Sequence, residues 1–254
     1  MLSFSTPAIL LRRTDYSDYD LILTFLSLKK GKISVMAKSA KKSVRRFAGA
    51  LELFSALEIT CRQPRTKGMP VLEEAVLQEP FAGIRADIIK TAYASYWAEL
   101  VQGWSEESEK QIGLYHLLAY VLKALDEGKA PESALSILFQ MRFLRLCGLS
   151  PNLTGCSACG IEVEKMPKNS LTVDAAKGGG LCDCCALTDS HRIALSKGTI
   201  KQLIWVQNGD MAKAGRMRFT PQALKEGQVF LEEFVSFHLG LKPRSLQFLK
   251  KIRS

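Results

Sequence analysis

The sequence predicts an α+β protein, with a small β-barrel at the N-terminus followed by a helical region that carries a four-cysteine insertion. Three observations predict it. Apolar residues alternate in short runs up to about residue 80, and then recur at helical spacing. Two C-x-x-C pairs interrupt the helical part, in CSACG and LCDCC. Positive charge gathers toward the two ends of the chain, leaving the middle neutral to acidic.

The strand candidates come first. PAILLRRT, DLILTFLSL, KISVMAK, LELFSALEITC and PVLEEAVL lie between residues 7 and 77, separated by turn signals such as Lys30-Gly31. Five short strands in so little chain suggest a closed or partly open barrel, because closure removes exposed edges. An SH3-like barrel competes with this reading. Helices are expected over 84–104, over 110–128 with Gly128 past the end, and over 131–148 with Pro131 in the first turn and Gly148 beyond the last. Short connections make a bundle of these three. Further helices are expected near Ser196–Gln207, from the Thr220-Pro221 cap to residue 240, and over 241–252. The barrel domain is therefore placed at 1–80 and the helical domain at 81–254, with a zinc finger at about 150–191.

Composition narrows the function. A chain of 254 residues at 47% hydrophobic can bury a sizeable core. No run approaches the ~20 apolar residues of a membrane span. The first residues lack a basic region followed by an apolar one, so no signal peptide is expected, and the cytoplasm is the expected location. The net charge is +10; residues 1–80 carry 13 basic against 8 acidic groups, and residues 238–254 carry 5 basic groups and no acid. Such polarisation favours a nucleic acid or another polyanion.

The stretch KKGKISVMAKSAKKSVRRF, residues 29–47, holds eight of the positive charges and no acid. Its second half follows the third strand candidate, which puts Lys38, Lys41, Lys42, Arg45 and Arg46 on a loop at the barrel rim. Long cationic side chains there can contact phosphates without reading bases. The plainer alternative is a solvated, lysine-rich loop. Barrels that bind single strands add aromatic platforms. Tyr16, Tyr19 and Phe47 are the candidates, Phe47 foremost, with Phe25 and Phe54 read as core.

Cys156 and Cys159 form one pair, Cys182 and Cys185 the other, with 22 residues between. Four thiolates at this spacing suit a tetrahedral structural Zn(II), with no open position for catalysis. Reduced surface thiols without metal are the alternative. Cys184 offers a second register; the two-residue spacing favours Cys185. The glycines around the pairs supply unusual backbone angles. Cys61 and Cys147 read as small buried hydrophobes. His116 and His238 read as core or boundary groups, and His191 as a surface residue beside Arg192. No phosphate-binding glycine loop, nucleophile elbow or zinc-protease helix is present, so no enzyme is expected.

Over its whole length the sequence resembles the bacterial DNA repair and recombination mediator family RecO. The resemblance rests on DYSDYDLILTFLSLKKGKISVMAKSAKKS, RFAGALELFSALEI, LRLCGLSPNLTGCSACG and GGGLCDCCA, in that order. Ser39 stands where that family usually carries a glycine. The resemblance implies an oligonucleotide-binding (OB) fold at the N-terminus. It also implies binding of single- and double-stranded DNA, annealing, and loading of RecA onto DNA covered by single-strand-binding protein, in association with the nucleoid during repair. RecR and the acidic C-terminal tail of single-strand-binding protein are the implied partners. FQMRFLRL offers Arg142 and Arg145, beside Phe139, Phe143 and Leu146, as a clamp for that tail. The same charge and barrel would also serve a zinc-containing RNA-binding or ribosome-associated module, and a zinc-dependent nucleic-acid hydrolase is a third reading.

Overall fold

A computed structural model describes residues 3–43, 46–47, 49–64, 68–186, 193–240 and 242–253. Among these, no helix is long and apolar enough to cross a membrane. The chain divides into two compact units, residues 1–127 with 243–254, and residues 128–242. The barrel strands end at Glu79, close to the boundary drawn at residue 80, but the first unit also takes in the next three helices and the last one.

In the first unit, strands β1 (Ser3–Asp15), β2 (Leu21–Ser27), β3 (Gly31–Ala37), β4 (Ala56–Arg62) and β5 (Val71–Glu79) form an OB-type barrel. Their order is β1-β2-β3-β5-β4, with β4 returning to β1. β2 and β3 are a hairpin in full register from Leu21↔Ala37 to Ser27↔Gly31. The barrel closes through one parallel pair, Met36↔Val71. Alternation decides what faces inward. In β3, Ile33, Val35 and Ala37 are buried, while Lys32, Ser34 and Met36 are half-exposed. Phe25, Leu23, Val35 and Ile59 fill the centre with no exposure, each burial stabilising by about 1.5–3 kcal/mol. Cys61 belongs to this core, and burial pushes its thiol up to about 12.

The helix expected over 84–104 is two helices, α1 (Ala82–Ala86) and α2 (Ile88–Trp104). Asp87 breaks it, with extended backbone and a carboxylate that accepts from the N–H groups of Ile89 and Lys90. That carboxylate satisfies donors which the first turn of a helix leaves unpaired. α3 (Ile112–Glu127) follows. The last helix, α8 (Arg244–Arg253), packs on α2 through Leu246 and Leu249. The Glu99 carboxylate of α2 caps it, accepting from Arg244 N at 3.1 Å and Ser245 N at 2.9 Å.

The second unit packs α4 (Glu132–Leu146), α5 (Lys197–Asn208) and α7 (Pro221–Leu239), with a short α6 (Met211–Ala214) between the last two. Gly227 lets α7 approach α4, since a Cβ there would sit 3.1 Å from Ile137 Cδ1. The cysteine-bearing segment forms a sheet not evident in the sequence, with β6 (Ser170–Asp174) between β7 (Gly179–Leu181) and β8 (Ile193–Ser196).

Candidate metal centre and nucleic-acid interface

The metal-centre candidate begins with backbone geometry. Asn152 pairs with Gly179 in a parallel bridge, and Gly180 N donates to Asn152 O at 2.8 Å. Ser157 N donates to Gly180 O at 2.7 Å. The first C-x-x-C is thus stitched to β7, the strand that leads into Cys182. Its turn closes through Cys156 N to Ile161 O (2.8 Å) and Gly160 N to Cys156 O (2.9 Å). Gly160 takes φ 77, the left-handed conformation expected of a knuckle glycine. Gly179 and Gly180 have a different job, close approach, because added Cβ atoms would lie 2.3 Å from Asn152 O and 2.1 Å from Leu171 Cδ2. The second knuckle closes through Cys185 N and Ala186 N, both donating to Cys182 O.

These turns bring the sulfurs of Cys156, Cys159, Cys182 and Cys185 within 4.8 Å of one another. Cys159 and Cys182 Sγ are 3.6 Å apart. A tetrahedron with Zn–S bonds of 2.3 Å has edges of roughly 3.8 Å, so the donor set fits such an ion. Cys184 is exposed and outside the group, so the two-residue register is the one the fold uses. Burial raises the Cys156 thiol, but backbone N–H groups of Cys182, Cys159 and Ala158 outweigh it and bring the thiol down to about 6. As a thiol Cys185 donates to the Cys182 and Cys159 sulfurs, which pushes it up to about 12. Four thiols this close oppose one another's ionisation, and a bound cation removes that opposition.

The nucleic-acid candidate lies at the end of β3. Lys38, Lys41, Lys42 and Arg46 are all exposed; Arg45 lies outside the described residues, as do His191 and Arg192. Ser39 adopts φ 53, the conformation a glycine would take without penalty, and its N–H donates to Asp20 Oδ1 at 2.7 Å. Lys41 N donates to Tyr19 O, tying this loop to the β1–β2 loop. Lys41 Nζ is 3.1 Å from the exposed Asp15 carboxylate, a pair that a phosphate displaces at little cost. The Lys42 ammonium sits 3.4 Å over the Tyr19 ring.

Phe47 does not offer the platform expected of it. It is 4% exposed and packs into the barrel core, with the Arg46 guanidinium 5.0 Å over its ring. A large ring in a position that can reach the core is buried. The exposed rings beside the basic loop are Tyr16 and Tyr19, at 60% and 45%.

Arg142 and Arg145 turn onto the C-terminus of α5. Arg142 Nε donates to Val206 O at 2.6 Å and a second nitrogen donates to Gly209 O; Arg145 donates to Gln207 O at 2.9 Å. Burial, then the neighbouring Arg145, lowers the Arg142 pKa. Both arginines satisfy helix-end carbonyls. Phe139 and Phe143 are fully buried, so they wall no groove; Leu146 and Trp205 are the exposed apolar residues of α4 and α5. His116 is exposed rather than in the core. The His238 ring lies 4.2 Å from the Phe234 ring, tilted by 46°, and its buried Nε2 has no hydrogen-bond partner.

Comparison with known proteins agrees with this layout. Residues 1–81 match the family model "Recombination protein O N terminal", and residues 85–247 match "Recombination protein O C terminal". The chain is 45% identical to the DNA repair protein RecO of Desulfosudis oleivorans, covering 100% of this chain and 99% of the relative. It is 43% identical to that of Desulfatibacillum aliphaticivorans over 98% and 97%, and 34% identical to that of Anaeromyxobacter sp. (strain K) over 96% and 94%.

Proposed function

The chain belongs to the RecO family of DNA repair proteins, and from that premise we propose that it is a non-catalytic mediator of recombinational repair that holds DNA on its barrel rim. The observation that carries this reading is the exposed rim itself. Lys38, Lys41, Lys42 and Arg46 form a cluster whose described ion pair, Lys41–Asp15, is exposed and weak. A polyanion relieves the repulsion and releases its condensed counterions. Tyr19, already under the Lys42 ammonium, supplies a face on which a base stacks. Backbone contact without base readout suits a protein that binds single- and double-stranded DNA alike and anneals complementary strands.

The finer roles belong to the same proposal. The protein acts at the nucleoid in the cytoplasm, with RecR as partner, and it loads RecA onto DNA coated by single-strand-binding protein. The acidic tail of that protein docks near Arg142 and Arg145. Arg145 is the better placed of the two, because it is the more exposed and its second contact is the Asn208 amide at 3.2 Å. Zinc is the metal held by Cys156, Cys159, Cys182 and Cys185, and its role is structural, since four sulfurs complete a tetrahedron.

The test is a salt series with single-stranded DNA. Lys41→Ala, Lys42→Ala and Arg46→Ala together should weaken binding for all sequences and flatten the log–log salt slope by about 2, from about 0.7 per lost phosphate contact. Unchanged affinity and slope would reduce the rim to a solvated loop.

A further inference from the structure

Three of the eight cations in the basic stretch, Lys29, Lys30 and Lys32, play no part in the rim. Lys29 and Lys30 precede β3 and Lys38 follows it. A seven-residue strand spans about 20 Å, so the two lysine clusters lie at opposite ends of the strand. The structure adds a third cation to the first cluster from far along the chain. Residues 105–110, which join α2 and α3, lie against β3. Glu107 pairs with Lys32 in a parallel bridge, and Ser108 N donates to Lys32 O at 2.9 Å. Glu109 O passes so close to Gly31 that a Cβ there would sit 1.6 Å from it. Seated this way, the connection delivers Lys110 to the same end of the barrel as Lys29 and Lys30.

The three lysines line one cleft of about 200 Å³, together with Phe4, Gln63 and Ser108. No carboxylate lines it, although the connection carries three glutamates. Glu107 instead accepts from Ser34 Oγ at 2.8 Å. Among the described residues, no ion pair involves Lys29, Lys30 or Lys110. Lys29 Nζ is anchored on Ser5 O at 3.1 Å, and the Lys30 ammonium stands 5.0 Å over the half-exposed Phe4 ring. Uncompensated cations beside an aromatic face are the recurring components of a single-strand site, with phosphate on the ammonium groups and a base on the ring.

We propose that this cleft is a second phosphodiester site, so that one single strand runs along the barrel from the rim to the Lys29–Lys30–Lys110 end. The proposal rests on the reading of the protein as a DNA binder but not on the rim residues. The separation of about 20 Å corresponds to about six nucleotides at the 3.4 Å rise of a stacked strand. An oligothymidylate of about 5 nucleotides should therefore reach one end, and one of about 25 nucleotides should reach both.

The experiment compares the wild type, the rim variant (Lys41→Ala, Lys42→Ala, Arg46→Ala) and a cleft variant (Lys30→Ala, Lys110→Ala) on both oligomers, with thermal unfolding as a folding control. The cleft variant should bind the long oligomer several-fold more weakly, with a salt slope flatter by about 1.4 and wild-type unfolding. Lys30→Arg with Lys110→Arg should restore both affinity and slope, and Phe4→Leu should lower affinity without changing the slope. Wild-type affinity and slope in the cleft variant overturn the proposal. If the rim variant alone is impaired, this second site falls and the rim stands. If the cleft variant alone is impaired, the rim reading falls and with it the run of one strand between the two, while the cleft stands as a phosphodiester site; if neither is, both fall.

Discussion

The barrel and the cysteine-bearing segment are built on different terms. Strands β1–β5 enclose Phe25, Leu23, Val35, Ile59 and Leu57, all at 0–1% exposure. The segment from Asn152 to Ala186 buries Leu153, Val163, Leu171, Val173 and Leu181, and its two strands, β6 and β7, have five and three residues. The barrel orders itself by removing apolar surface from water. The knuckles place three of their four sulfurs at half-exposed or exposed positions, where burial does little to hold them. A stable barrel can carry a dense, self-repelling loop at its rim, because that loop contributes little to the core. The knuckle segment has no such reserve.

The largest expected effect tests the weaker region. Cys156→Ser or Cys185→Ser should abolish stoichiometric zinc and unfold the knuckle segment while leaving the barrel intact. Structural zinc in small fingers supplies about 10–16 kcal/mol of apparent binding free energy. Metal analysis and hydrogen exchange read both outcomes. Cys184→Ser should keep its zinc; loss of zinc there, with retention in Cys185→Ser, would contradict the sulfur geometry. Phe25→Ala makes the reverse test. It should destabilise the barrel by about 3–5 kcal/mol and leave zinc content unchanged, since the cysteines lie in the other compact unit. Loss of metal in that variant would show that the two regions fold as one. The smallest effect refines the rim. Ser39 holds a left-handed φ of 53, so Ser39→Gly should raise the unfolding free energy by about 0.5–1 kcal/mol, read by denaturant titration. DNA affinity should change little, because the charges stay where they are.

Much of this was legible in residues near one another in sequence. Strand and helix periods, the Thr220-Pro221 cap and the two C-x-x-C pairs are local signals, and each element appears where its signal lies. The Asp87 break was also local, an acid ahead of Ile88 and Ile89, and could have been found as a cap. Phe47 was misplaced because a ring next to a basic run reads the same whether it faces solvent or core. The β6–β8 sheet was missed because its strands are short and depend on pairing, with β6 at the centre.

By itself the sequence determined the fold class, the switch from strand to helix near residue 80, the four sulfurs and the placement of charge. Period and spacing are properties of a few consecutive residues, and they survive without knowledge of what packs where. Only the tertiary structure decided that Phe47 is core, that Arg142 and Arg145 cap a helix more than 60 residues away, and that Lys110 joins Lys29 and Lys30. Those outcomes depend on long-range closure, in which backbone groups such as Glu109 O and Gly31 meet because burial of the barrel and its helices leaves them no other place.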